Sequence, residues 1–246
     1  MMIKQNLYLL LMLLLLLVPY TATRAQQQDF YTSATRLLQG HVQQGQVNYR
    51  SLRQSQAELQ QLVKQIGGYT LKEASASEKK AFYINAYNLL VLHQVLKHYP
   101  LKSVMNVEGF FDRQEFMVAG ESMTLNELEK QKLLANYPDA RIHFALVCAA
   151  KSCPPLLNKA YTPADVEQQL QQQAVNTLRH NDFIRVQPKE QRVLVSEIFK
   201  WYQNDFLKEK PSVKAYINSF RLKPIPASYK LGYYTYNWQL NEAGQQ

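Results

Sequence analysis

Two cysteines in 246 residues are too few for a disulfide-dense scaffold. They are also too few for a structural zinc site, which needs a complete tetrahedral ligand set. Beside Cys148 and Cys153 stand five histidines, with no second Cys/His pair at ligand spacing. No metal and no cofactor are therefore expected. Lysine and arginine never run for more than two residues, so the formal charge of +9 is scattered. Clustering is the footprint of a nucleic-acid face, and it is missing. Glycines number eight, and no Gly/Ser-rich or Pro-rich stretch or internal repeat divides the chain. One domain is the simplest organisation.

The one long apolar run, Leu7–Val18, follows Lys4 and precedes Pro19 and small residues at Thr23 and Ala25. It is shorter than the about 20 residues that cross a bilayer, and the pattern is that of a secretory leader cut after Ala25. An uncleaved anchor is the alternative. No cysteine stands directly after the run, so a lipoprotein anchor has no attachment point. Residues 1–25 are thus expected to be removed and residues 26–246 to form an exported domain, periplasmic or secreted. With Lys4 and Arg24 gone, the charge of +9 falls by two to +7. No later run is long enough to span a membrane.

What is present is periodic. Apolar residues recur every three or four positions over Phe30–Gly40 and Leu52–Ile66, predicting helices in the region 28–66, with Gln54–Gln61 on a solvent face. The stretch up to Tyr99 is apolar on nearly every side from Phe82 to Leu96. It predicts a buried central helix, capped at Ser77 and stopped before Pro100. "EFMVAGESMTL" predicts a hairpin turning at Gly120–Glu121, and Thr124 with Glu127 a capping box. "RIHFALVC" (Arg141–Cys148) reads as a buried strand. Thr162–Pro163 with Asp165 opens a further helix, and "FIRVQPKEQRVLVS" is a second hairpin. Ser196 caps the following helix, and an aromatic tail spans 226–241. The fold class is α+β, with its core over about 75–206 and a buried helix packed on a small, mostly antiparallel sheet.

Cys148 and Cys153 suit either of two roles. Export favours a disulfide, which in so short a loop stabilises by only about 2 kcal/mol and shapes the local turn more than it holds the fold. The alternative makes Cys148 a nucleophile, which requires a base within hydrogen-bond reach. On a regular strand His143 and Cys148 point to opposite faces, leaving His93 on the buried helix as the better base. At about 100° per residue, Asn85 and Asn88 fall within about 60° of each other, with His93 about 80° from Asn85 on the other side. All three could face one cleft; otherwise Asn85 and Asn88 satisfy buried backbone groups. Glu129 is a surface charge or a cleft acid. Trp201, Tyr202 and Asp205 fall within two turns. With Trp238, and with Tyr233, Tyr234 and Tyr236, they either pack or line a groove for a peptide, sugar or other small ligand.

"AFYINAYNLLVLH", "RIHFALVCAAKSCPPL", "VSEIFKWYQNDF" and "YNWQLN" together resemble the domain-of-unknown-function family number 547, found in bacterial exported proteins and in plants. The resemblance runs from about Val47 to Asn241 and implies no established activity. Members often carry Ile-Glu-His where this chain has Leu128-Glu129-Lys130, arginine at Leu134, and aspartate at Asn237. If those residues serve a site in the family, this chain has lost part of it. A buried helix followed by a small sheet also looks like the papain- and transglutaminase-like thiol enzymes. Their order differs, with the cysteine on the helix and the histidine on a strand.

The functional expectation is an exported protein with a binding or structural role in the cell envelope and a polar cleft at the Cys148/Cys153 loop. The runner-up is a cysteine-dependent hydrolase or acyl transferase. Reversible redox use of the pair ranks last, because the spacing is not C-x-x-C.

Overall fold

The computed structural model describes residues 29–244. The leader expected over residues 1–25 lies outside the described residues. The described residues begin in helix α1 (residues 29–41), which turns Phe30, Ala34, Leu37 and Leu38 inward. A minimal hairpin follows, β1 (Val42–Gln43) and β2 (Gln46–Val47), turning through Gln44 and Gly45 with positive φ at both. The helix expected over Leu52–Ile66 is two, α2 (Tyr49–Gln54) and α3 (Gln56–Gly68). The break falls at Ser55, whose N–H closes a tight turn on the Leu52 carbonyl. An unbroken 3.6-residue pattern in the sequence conceals so local an interruption.

Helix α4 (Ala76–His98) is the central element. Ser75, two residues before the expected cap, accepts a hydrogen bond from the N–H of Glu78. From Ala81 to Leu96 every residue but Tyr83 and His93 is buried. Each large apolar side chain so buried contributes about 1.5–3 kcal/mol, which makes α4 the main source of core burial. The helix ends at His98, and Tyr99 is extended before Pro100, as proline requires of its predecessor.

β3 (Glu115–Val118) and β4 (Glu121–Thr124) form the expected hairpin, with Glu115 opposite Thr124. The turn sits one residue earlier than expected, at Ala119–Gly120, both with positive φ. Thr124 and Glu127 make the expected capping box for α5 (Leu125–Glu127). The backbone then widens into a π-helical turn over Leu128–Leu134.

The strand expected over Arg141–Cys148 does not form. Ala140–Phe144 is a 3-10 turn, capped by the Asp139 side chain accepting from the N–H of Arg141, and a loop follows. The physical reason is a substitute partner. Asn88 donates to the carbonyl of Ala145 and accepts from the N–H of Val147, so a helix side chain satisfies the backbone that a neighbouring strand would otherwise pair.

Helix α6 (Val166–Arg179) starts after Asp165, so Thr162–Pro163 lead into it rather than forming its cap and first turn. β5 (Ile184–Gln187) and β6 (Arg192–Ser196) are antiparallel. The helix after Ser196 is divided at Tyr202 into α7 (Ile198–Trp201) and α8 (Gln203–Glu209), and α9 (Val213–Asn218) follows. β7 (Lys230–Tyr234) joins β6 in parallel, so this three-stranded sheet is mixed. The class is α+β.

Two apolar clusters organise the packing. One surrounds α4, and the other gathers Phe144, Phe199, Phe206 and Tyr216 beside the three-stranded sheet. Cys153 and Trp238 touch both clusters. Residues 237–241 strap this junction. The N–H of Lys151 bonds Gln239, that of Asn241 bonds Ala149, that of Leu240 bonds Lys102, and Val47 bonds Asn241.

Candidate functional site

A cleft of about 210 Å³ opens where the two clusters meet. α4 contributes Tyr87, the π-helical turn Glu129, the 3-10 turn His143, and the following loop Cys148. Trp201 and Tyr202 come from the α7–α8 junction, and Tyr236 and Trp238 from the strap.

The wide turn has a consequence for Glu129. In a regular helix, the residue two past the capping-box glutamate has no special reason to turn inward. Here Glu129 is 8% exposed. The Tyr202 hydroxyl donates to its Oε1 at 2.6 Å. Burial raises its pKa above the ordinary carboxylate value, opposed by the hydrogen bond from Tyr202 and the charge of Lys130. Tyr87 also bonds Glu129, and burial pushes its hydroxyl well above the ordinary value, so it keeps its proton and donates.

His143 is buried, its ring 4.1 Å from that of Tyr202. Its Nε2 lies 3.0 Å from Oδ2 of Asp205. Burial lowers the pKa of His143 and Asp205 pulls it back up, with a net decrease. Asp205 also accepts from Lys208 at 3.0 Å. Burial works against the Asp205 charge, but the bonds from Lys208 and His143 hold its pKa below the ordinary value. Behind this pair, Arg141 donates to Asp139 at 2.7 Å and to Glu167 at 2.6 Å, tying the 3-10 turn to α6, while Lys80 brings in α4.

The sulfurs of Cys148 and Cys153 are at disulfide distance, with the Cα atoms 6.3 Å apart. The Tyr236 hydroxyl lies 3.1 Å from each sulfur. Cys153 Sγ further accepts from the N–H of Cys148 at 3.1 Å and of Ala150 at 3.4 Å. Between those two residues Ala149 has φ +59°, unusual for a residue with a side chain.

One wall is aromatic. Trp201 stacks on Trp238 with ring centroids 5.9 Å apart and planes 23° from parallel. Tyr236 lies 4.9 Å from Trp201 and 4.7 Å from Trp238. Trp201 is 46% exposed.

Of the residues singled out in the sequence, Cys148, His143, Glu129, Trp201, Tyr202 and Trp238 line the cleft, and Asp205 supports it through His143. His143 and Cys148 share the cleft because the strand that would have opposed their side chains is absent. Asn88 holds the loop at Ala145 and Val147. Asn85 donates to the carbonyls of Ala81 and Tyr161 and accepts from the N–H of Tyr161. Both asparagines therefore spend their amides on backbone. His93 stands outside the cleft, its ring 6.4 Å from that of Phe116 and its pKa lowered by burial and by Lys97. Tyr87 also lines the cleft, and no motif in the sequence marks it. A tyrosine on a buried helix must find a partner for its hydroxyl, and that requirement is the signal that points to it. Lys130 and Asn237, where the chain departs from the resembled family, are exposed. Among the described residues, no group of three or more His, Cys, Asp or Glu side chains is arranged to hold a metal ion.

The family described as "Protein of unknown function, DUF547" matches residues 71–177. The chain thus resembles that family through α4, Glu129, His143 and both cysteines. The matched stretch is narrower than Val47–Asn241 and stops before Trp201, Tyr202, Tyr236 and Trp238. No curated protein and no solved structure matches the chain.

Proposed function

We propose that this is an exported protein of the cell envelope that binds a small ligand in the cleft, a short peptide, a sugar or a molecule of similar size. The observation that carries this reading is the exposed face of Trp201, backed by Trp238 and lining the same cleft as the buried carboxyl of Glu129. An indole pair gives a rigid apolar platform at low entropic cost, and a buried acid gives one directional polar contact. Sugars and peptides offer both a flat apolar face and hydrogen-bond donors. The volume is below the about 300 Å³ typical of sites for drug-sized ligands, so the ligand inserts one ring or one side chain. Support for export is the leader pattern at Lys4, Leu7–Val18 and Thr23–Ala25, together with a bonded cysteine pair of the kind that oxidising compartments maintain.

A cysteine-dependent hydrolase or acyl transferase is the second reading. It is favoured by the His143–Asp205 pair in the same cleft as Cys148, which has the form of a base held by an orienting carboxylate. It requires a free Cys148, and the bond to Cys153 removes that nucleophile from the resting protein.

Both tryptophans of the chain line the cleft, so intrinsic fluorescence reads occupancy directly. Titration with mono- and disaccharides and with short peptides is expected to give a saturable change for at least one class, weakened at least tenfold in Trp201→Ala. Binding that is indifferent to Trp201→Ala and to Glu129→Gln would sink the cleft as the ligand site. Turnover of amide or ester substrates only after reduction would favour the hydrolase.

A further inference from the structure

We propose that the Cys148–Cys153 pair is a site of thiol–disulfide exchange with low-molecular-weight thiols and their disulfides, Cys148 being the sulfur attacked and Cys153 the leaving thiolate. The two sulfurs differ in surroundings. Cys148 lines the cleft, where a small thiol can reach it. Cys153 Sγ alone is met by the N–H groups of Cys148 and Ala150, and the Tyr236 hydroxyl, 3.1 Å from both sulfurs, is a third donor within its reach.

A disulfide sulfur is a weak acceptor, and three converging donors gain little from it. The same three groups gain far more from a thiolate, because charge-assisted hydrogen bonds are about twice as strong as neutral ones. The left-handed conformation of Ala149 produces this arrangement, turning the flanking N–H groups to one side as in an anion-binding nest. Burial keeps the Tyr236 hydroxyl protonated, so it remains a donor. The spacing of the cysteines is not C-x-x-C, and the donors around Cys153 supply the thiolate stabilisation that motif obtains otherwise.

The surroundings also permit the bond to open. The sequence separation is only 5, so cross-linking restrains the unfolded chain little. The loop is held by groups other than the sulfurs. Lys151 N–H bonds Gln239, Ser152 N–H bonds Asn237, and Ser152 Oγ accepts from the N–H of Asn237.

The step is a displacement at sulfur. An incoming thiolate attacks Cys148 Sγ, a new S–S bond forms there, and the Cys148–Cys153 bond breaks with its electron pair leaving on Cys153. A second thiolate then displaces Cys148 from the mixed disulfide. The net change is two thiols oxidised to their disulfide and the pair reduced by two electrons. Run in reverse, the reduced pair consumes a disulfide.

The test uses the full chain in its oxidised form, under native conditions, with glutathione and glutathione disulfide as probes. Acid quenching, alkylation, intact mass and peptide mapping follow the products. Reduction without denaturant is expected, with the transient glutathione adduct on Cys148. In Cys153→Ser, glutathione disulfide is expected to leave a lasting adduct on Cys148. Tyr236→Phe is expected to slow exchange about three- to tenfold, since leaving-group ability follows thiolate stability. A pair that reacts only after denaturation is a structural bridge only, and overturns the proposal, as does an adduct mapped to Cys153. Exchange at the wild-type rate in Tyr236→Phe removes the role given to the hydroxyl. Mapping the wild-type adduct decides the case even if a variant fails to fold.

Discussion

His143 Nε2 and Asp205 Oδ2 stand 3.0 Å apart, joining the 3-10 turn to α8 across 62 residues of chain. His143 is the buried partner and Asp205 the more exposed one, so the pair spans the boundary between core and solvent at the cleft. Its charge state therefore responds to pH through burial as well as through pairing.

The folded pKa of His143 is depressed, burial outweighing Asp205. Folding thus favours the neutral ring. The resulting stability is complete above the ordinary histidine value of about 6.5 and is lost as pH falls through the folded pKa. Thermal melts of wild type and His143→Gln between pH 5 and 8, at about half-unit steps, are expected to show a steeper acid-side decline in wild type. Parallel profiles would refute this.

Glu129 has the opposite sign. Its folded pKa is raised by burial, so its contribution to stability is present below the ordinary carboxylate value and lost as pH rises through the folded one. Glu129→Gln keeps an acceptor for the Tyr202 hydroxyl without the charge. Urea midpoints of the variant are expected to rise relative to wild type from acidic to neutral pH. A difference that does not vary with pH would show that the carboxyl carries no burial penalty.

Asn85→Leu removes three hydrogen bonds and leaves the N–H and C=O of Tyr161 unpaired in the core. A loss of about 2–4 kcal/mol is expected in equilibrium unfolding, since each orphaned buried group costs about 1–3 kcal/mol. A loss under about 1 kcal/mol would mean that the loop at Tyr161 finds other partners.

Gly45 has φ +80°, and a Cβ there would sit 2.4 Å from Pro155 Cβ. Its carbonyl also accepts from the N–H of Leu156. Gly45→Ala is expected to cost about 2 kcal/mol or more, combining left-handed strain with displacement of the segment behind Cys153. The same substitution at Gly120, with φ +84° but open space around it, is expected to cost less. Equal losses at the two sites would assign the effect to backbone strain alone.

What could be read along the sequence is what depends on neighbours along the chain. The all-round apolar run from Phe82 to Leu96, the Thr124–Glu127 box and both hairpins needed no distant partner to be recognised. Arg141–Cys148 looked like a strand because its side chains suit one. Asn88, 57 residues before Ala145 in sequence, satisfies that backbone instead, and one-dimensional periodicity carries no trace of the exchange. For the cleft, residue type identified Cys148, His143, Glu129, Tyr202 and the two tryptophans as candidates. Their meeting depends on the π-helical turn at Leu128–Leu134 and on the strap, both set by tertiary packing. His93 fitted the helical-wheel geometry of α4, but a cleft between two clusters draws on only one side of that helix.

The strap also imposes an order of events. Tyr236 follows Cys153 by 83 residues, so both cysteines leave the ribosome well before the hydroxyl that contacts them. During that interval the two sulfurs lack the hydroxyl that contacts each of them in the folded protein. The aromatic wall is complete only after Trp238 arrives, so the cleft matures later than α4 and the cysteine loop that it joins.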